Sequence, residues 1–176
     1  MAQRGALFVV NMQNDFLWGL RKPQFTYDTE TLIENVNRAV AFYQSFNFEI
    51  HYIRQVLPNN FLTKKMFGYA LSGTPGIELH EGLEVASDLI WNAQMPDAFS
   101  VPAFRDMVSK RNYVDIAVCG LDYCGAAGET AKGAALSGAH VVLLQDSTGT
   151  RFGPERIEKM TRQLVNVGVQ IQVPND

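Results

Sequence analysis

The sequence predicts an α/β fold: one domain spanning residues 1–176, built on a mainly parallel, six-stranded sheet with helices on both faces. Two observations carry this expectation. Short apolar, β-branched runs alternate with longer stretches of helical period, which is the pattern of a parallel sheet covered on both sides. The chain has 176 residues, 47% hydrophobic and 19% charged, enough to bury such a sheet and too few for a second core.

Residues 6–10 are uniformly apolar and end abruptly in polar residues. They read as a buried first strand that delivers a side chain, Asn11, to the carboxyl edge of the sheet, where α/β proteins build their sites. Asp28 and Thr29 then offer a helix cap, Ile33, Val36, Val40 and Tyr43 recur at helical spacing, and Thr31 with Glu34 has the pattern of a capping box. Residues 48–54 are aromatic and β-branched enough for a second strand. From 55 to 87 the chain has Gly and Pro breaks and no sustained period, predicting a long excursion that shapes a pocket or an interface. Its apolar residues Phe61, Met66, Phe67 and Tyr69 are candidates for a lid or a docking face. A short third strand is expected at 88–91, a helix at 101–110, a fourth strand at 113–120, a helix at 130–137 and a fifth strand at 139–144. Pro154 opens a last helix before a final strand at 169–173.

Composition excludes several functions. A net charge of −3 with scattered Lys and Arg provides no field for a nucleic-acid backbone. Two cysteines, Cys119 and Cys124, cannot form a disulfide framework, and no apolar run approaches the length of a membrane span, so a soluble cytoplasmic protein is expected. The histidines His51, His80 and His140 stand alone without ligand spacing, so neither a catalytic metal nor another cofactor is expected.

Five stretches carry a family resemblance. They are Leu7-Phe8-Val9-Val10-Asn11-Met12-Gln13-Asn14-Asp15-Phe16; Gly73-Thr74-Pro75-Gly76 with Glu78-Leu79-His80; Asp88-Leu89-Ile90-Trp91-Asn92-Ala93 with Asp97-Ala98-Phe99; Val118-Cys119-Gly120-Leu121 with Thr130-Ala131; and Val142-Leu143-Leu144-Gln145-Asp146-Ser147. In this order, and over nearly the whole chain, they resemble the isochorismatase-like cysteine hydrolases, the family of nicotinamidases and isochorismatases. The resemblance implies a doubly wound sheet, a small-molecule ligand or substrate, a homo-oligomer, and a site built from Asp, Lys and Cys. In the family, the cysteine thiolate attacks a carbonyl or related carbon of a small amide, the aspartate moves the proton and the lysine stabilises charge. A thiol needs such neighbours because it is a weak nucleophile until deprotonated.

Against that pattern, the aspartate position holds Asn11, whose amide neither accepts nor releases a proton near neutral pH. The simplest role for Asn11 is to tie down nearby backbone or loop groups, and Asp15 reads as a loop anchor. The lysine position falls on Ala93, with Asn92 its nearest polar neighbour. Aligned without a gap, the nucleophile position falls on Ala126; a shifted alignment selects Cys124. Cys124 lies just after a strand and before Gly125, Ala126 and Ala127, where helix amides can lower its pKa and hold an oxyanion. Asp122, Tyr123 and Glu129 are the polar groups placed to assist it, although Glu129 equally suits the first turn of a helix. Cys119 should be packed and inert.

Further ligand contacts are expected from Asn11, Asp15, Asn92, Tyr123 and Gly125, from Arg54, facing a carboxylate or a surface ion pair, and from Phe16, Trp18, Trp91 and Phe99 as an apolar wall. Two functional classes follow. One is a hydrolase-like protein with a small-molecule pocket at the strand ends whose Asp-Lys-Cys triad is lost, and which acts, if at all, as a structural or regulatory partner of an active relative. The other is an active amidohydrolase using Cys124.

Overall fold

A computed structural model describes residues 4–173. Six strands form one sheet: β1 (Gly5–Val10), β2 (Glu49–Gln55), β3 (Ile90–Ala93), β4 (Asp115–Leu121), β5 (His140–Gly149) and β6 (Gln170–Gln172). Their order is β3-β2-β1-β4-β5-β6 and every pairing is parallel. The chain therefore winds outward from β1 in one direction, returns to its other side at β4, and winds outward again. The crevice between the carboxyl ends of β1 and β4 is the switch point at which such sheets hold ligands.

β1 is buried along its whole length, because its side chains alternate between two cores. Leu7 and Val9 pack with Leu32, Ile33, Val36 and Val40 of α2 (Thr29–Ser45) on one face. Ala6, Phe8 and Val10 pack on the other face with Phe104 and Val108 of the helix Pro102–Arg111, Ala127, Ala131 and Ala134 of the helix Ala126–Leu136, and Leu164 of the helix Pro154–Asn166. Two shorter helices, Asn14–Leu17 and Phe61–Met66, lie between β1 and α2 and between β2 and β3. In chain order these helices are α1 (Asn14–Leu17), α2, α3 (Phe61–Met66), α4 (Pro102–Arg111), α5 (Ala126–Leu136) and α6 (Pro154–Asn166).

Element boundaries differ from the sequence expectations in ways that matter for the site. The third strand lies two residues later than expected, at Ile90–Ala93, so Ala93 ends it. The helix expected at 130–137 begins at Ala126, four residues earlier, because the small residues before Thr130 form its first turn. β5 runs to Gly149 rather than 144. A register irregularity between Val118 and Gly120 lets the polar segment after Leu144 continue the ladder, pairing Gly120 with Thr148 and Leu121 with Gly149. At the start of α2, Asp28 is the cap and accepts from the Thr31 N–H at 3.3 Å. Thr31 is thus inside the helix, and its expected box with Glu34 is replaced by one built on Asp28.

Side-chain amides and a carboxylate fasten the excursion across the sheet edge. Gln13, fully buried, donates to the carbonyls of Gln55 (2.9 Å) and Ile77 (3.1 Å) and accepts from the Gln55 N–H at 2.8 Å. Asn14 donates to the Pro75 carbonyl at 2.9 Å, and Asp15 accepts from the Ala70 N–H at 2.7 Å. Gly76 lies against Asp15, where an added Cβ would meet the carboxylate at 2.1 Å. At the opposite end of the sheet, His51 is the centre of a buried network. The Trp91 indole N–H donates to its Nδ1 at 3.1 Å, which leaves the proton on Nε2 to donate to the Tyr113 hydroxyl at 2.9 Å. Tyr113 in turn donates to the Glu49 carboxylate, which is paired with Arg111 at 3.2 Å.

Two outcomes follow. Gly120 has φ +106°, and a Cβ there would sit 2.2 Å from the Val10 carbonyl oxygen, so Gly120→Ala opens the β1–β4 contact. It is expected to lower the free energy of urea unfolding by about 3 kcal/mol or more. Burial holds the His51 imidazole down at about 4, below its ordinary value of 6.5. Between these values the unfolded chain binds the extra proton, so stability present above pH 6.5 is lost as pH falls toward 4, by on the order of 3 kcal/mol. Urea midpoints taken from pH 7 to 5 should fall in the native chain and flatten in His51→Gln.

Candidate ligand site at the strand ends

A cavity of about 200 Å³ opens at the switch point. Its floor is the end of the sheet. Asn11 follows β1 with φ 53°, a left-handed conformation that Asn tolerates better than most residues, and its N–H donates to the Ile53 carbonyl at 2.8 Å. That bend turns the side chain into the cavity wall. Asn11 is 7% exposed and no side-chain hydrogen bond of the described residues involves its carboxamide, which stays open to the cavity; the sealed side-chain polar atom without a partner among the described residues is Trp18 Nε1. Instead of tying down loop groups, as expected from sequence, this amide is held by its backbone alone. An amide open to a cavity can bond a ligand or water there.

Ala93, at the end of β3, and Ala126, first residue of α5, line the same cavity, as do Cys124 and Gly125. The residues expected at the three triad positions therefore share one wall with the candidate thiol. Asp122 lies between them and is committed to the turn. Its Oδ1 accepts the Cys124 N–H at 2.8 Å, while Oδ2 accepts the Arg151 N–H at 2.9 Å and the Tyr27 hydroxyl at 3.3 Å. Its carbonyl takes the N–H groups of Gly125, Ala127 and Gly128. The amides expected to cradle an oxyanion are thus largely consumed within the turn, and only that of Ala126 lacks an acceptor among the described residues.

Cys124 is half-buried and its thiol is pushed up rather than lowered. Desolvation is the main cause and the Asp122 carboxylate adds to it, against smaller opposing effects of the Thr150 hydroxyl and Arg156. No carboxylate, imidazole or ammonium among the described residues hydrogen-bonds the thiol. The expected activation by the helix amides is therefore absent, because burial outweighs it. Cys119 is fully buried, and burial raises its thiol pKa well above the ordinary range.

The remaining wall is aromatic. Phe16 and Phe25 meet edge to face with centroids 5.0 Å apart, and Tyr69 contacts both. Tyr27 stacks on Phe25 with centroids 6.2 Å apart. Burial and the neighbouring Asp122 keep the Tyr27 hydroxyl protonated far above neutral pH, so it acts as a donor. Arg151 and Phe152 also line the cavity.

Several expected contacts lie elsewhere. Arg54 pairs with Glu78 at 3.1 Å and bonds Asn92 at 3.0 Å, so both belong to a surface ion pair and neither lines the cavity. Asp15 anchors the excursion. Tyr123 is buried against α6, with its hydroxyl on Thr161 at 2.5 Å. Phe99 and Trp91 pack around Phe104, and Trp18 also stands outside the lining, leaving Phe16 as the one wall aromatic anticipated among the four. Glu129 pairs with Lys132 at 2.9 Å in the first turn of α5 and does not assist Cys124. Sequence reasoning in turn missed Phe25, Tyr27, Met95, Arg151 and Phe152. Arg151 and Phe152 would have come into view had the fifth strand been carried to Gly149.

Residues 5–175 match the isochorismatase domain. The chain belongs to the isochorismatase family. No curated relative matches its sequence. Among solved structures it is similar to the pyrazinamidase of Pyrococcus horikoshii in complex with zinc, with TM-score 0.82, 22% identity, and 96% of this chain and 98% of that chain covered. It is also similar to PnC1 from L. infantum in complex with nicotinate, with TM-score 0.82, 21% identity, and coverage of 98% and 93%. N-carbamoylsarcosine amidase from Thermoplasma acidophilum matches with TM-score 0.79, 16% identity, and coverage of 99% and 98%. At these identities the structures share the isochorismatase fold. Among the described residues no group of three or more His, Cys, Asp or Glu side chains is placed to hold a metal, and no helix is long and apolar enough to cross a membrane.

The raised thiol predicts a pH profile. Iodoacetamide labelling of native protein, followed by mass at Cys124, should be slow at pH 7 and rise with a midpoint above about 8.5, the free-cysteine value. A midpoint below 7 would contradict the environment described above.

Proposed function

We propose that this isochorismatase-family protein binds a small molecule at the strand ends without the family's triad chemistry, Asn11, Ala93 and Ala126 occupying the three positions. The observation that carries the reading is the Asn11 carboxamide, which opens into the cavity at the aspartate position and is not taken up by a side-chain hydrogen bond of the described residues. It can donate to and accept from a ligand but cannot take a proton from a nucleophile. Loss of a positioned base removes a factor of about 10² to 10⁴ in rate. A methyl at Ala93 gives no stabilisation to a developing anion, where one lost donor costs roughly 3 kcal/mol. The cavity wall therefore favours holding a ligand over cleaving it.

The second reading makes Cys124 a nucleophile, and its place in the cavity beside Asp122 and Thr150 favours it. The half-buried, raised thiol and the commitment of Asp122 to two backbone N–H groups and Tyr27 weigh against it. Ammonia release from nicotinamide, pyrazinamide and N-carbamoylsarcosine separates the two. The expected result is no release above buffer from the native chain. Release that disappears in Cys124→Ser would overturn the proposal.

A further inference from the structure

The short helix α3 buries none of its side chains. It hangs from a closed base, where the Leu57 N–H donates to the Ala70 carbonyl at 2.7 Å, the Ser72 N–H to the Leu57 carbonyl at 2.9 Å and the Asn59 amide to the Ser72 carbonyl at 3.0 Å. Thr63 is half-buried and the Phe67 ring, one turn on, meets Tyr69 with centroids 5.9 Å apart, so this side faces the body. Phe61, Leu62 and Met66 occupy the other arc, 81%, 63% and 64% exposed. Leu20, 84% exposed, belongs to the same projection, because Lys22 of its loop reaches Gly68 just beyond α3, with Nζ 2.9 Å from where a Cβ would stand. None of these four apolar residues lines the cavity at the strand ends or the clefts beside Tyr27, Tyr43 and Tyr113, so the patch offers a ridge rather than a groove.

The charge of this ridge has one sign. Lys22, Lys64 and Lys65 are exposed and join no ion pair among the described residues. Residues 16–27 and 55–77 contain no Asp or Glu, in a chain whose net charge is −3. Single exposed apolar residues and solvated lysines are ordinary, but large apolar side chains and unpaired cations gathered on one protrusion mark a contact surface. Two copies meeting symmetrically through it would bring their lysines together with no carboxylate between them. An anionic bilayer surface matches both features, since the apolar arc of an interfacial helix enters the headgroup region while lysine stems lie along it and hold their ammonium groups at the phosphates. We propose that α3, with Leu20 and Lys22, docks the protein peripherally on anionic phospholipid bilayers. Phe61, Leu62, Met66 and Leu20 enter the interface, and Lys22, Lys64 and Lys65 face the lipid phosphates. The contact is independent of what the cavity binds.

The test is co-sedimentation of the full chain at neutral pH and low salt with vesicles of phosphatidylcholine alone or mixed equally with phosphatidylglycerol. Binding to the mixed vesicles should exceed binding to the neutral ones roughly tenfold or more, and should fall as salt is added. Lys64→Gln and Lys65→Gln should each weaken it about fivefold. Phe61→Ser combined with Leu62→Ser should weaken it roughly tenfold or more, with the urea midpoint unchanged because neither side chain is buried. Phe42→Ser combined with Phe46→Ser, which removes the exposed aromatic pair on α2, should leave binding as it is. Equal binding to both vesicles, binding to neither, or binding untouched by the α3 double variant would overturn the inference. So would a concentration-dependent dimer in analytical ultracentrifugation that the α3 double variant dissociates, which would give the ridge to a second copy of the chain.

Discussion

The site depends on the close backbone contact between β1 and β4 at their carboxyl ends. Gly120 lets the Val10 carbonyl approach where no Cβ fits. At the same level, the shift of register between β4 and β5 draws Thr148 and Gly149 alongside Gly120 and Leu121. One consequence is that β1, β4 and β5 finish together, so Asn11, the turn at Asp122 and the segment carrying Arg151 converge on one crevice. A second is that Asp122 can clamp both following segments, one oxygen to Cys124 and the other to Arg151. The cavity is thus a product of strand geometry, with its wall held by these backbone contacts.

That geometry gives the polar groups their meaning. An amide on a loose loop finds water, but Asn11 is fixed in a left-handed conformation at the end of a fully buried strand, with its carboxamide open to the cavity. By contrast, the polar groups near Cys124 expected to activate it are already engaged, the Ala126 N–H excepted. Glu129 holds Lys132, Asp122 holds two backbone N–H groups and Tyr27, and three turn amides point to the Asp122 carbonyl. The same site is therefore well provided for recognition and poorly provided for moving a proton.

The fold was legible because its signals are local and strong. The uniformly apolar run 6–10, the spaced apolar residues of α2 and Pro154 at the start of α6 all lie where the pattern puts them. The convergence of Asn11, Ala93, Cys124 and Ala126 was also legible, since strand ends of a parallel sheet share one edge. What the pattern concealed depends on tertiary contacts. The fifth strand was expected to end at 144, yet polar residues 145–148 continue it because the register shifts beside them, and this hid Arg151. Arg54 sits near a strand end but pairs outward with Glu78, 24 residues away, a partner that no periodicity announces, and Asn92 accepts from the same guanidinium. The Cys124 thiol was expected to be lowered by helix amides, and only the structure shows that burial and Asp122 push it the other way.

The central claim is that the Asn11 carboxamide faces an occupiable cavity and meets a ligand rather than the protein. The side-chain amide resonances of Asn11, assigned by loss of signal in Asn11→Asp and followed by ¹H–¹⁵N NMR during titration with benzoate, test it most directly. The account predicts that both amide protons shift progressively and saturate with the ligand. Resonances that stay fixed while benzoate binds elsewhere, or that do not respond at any concentration, would contradict it.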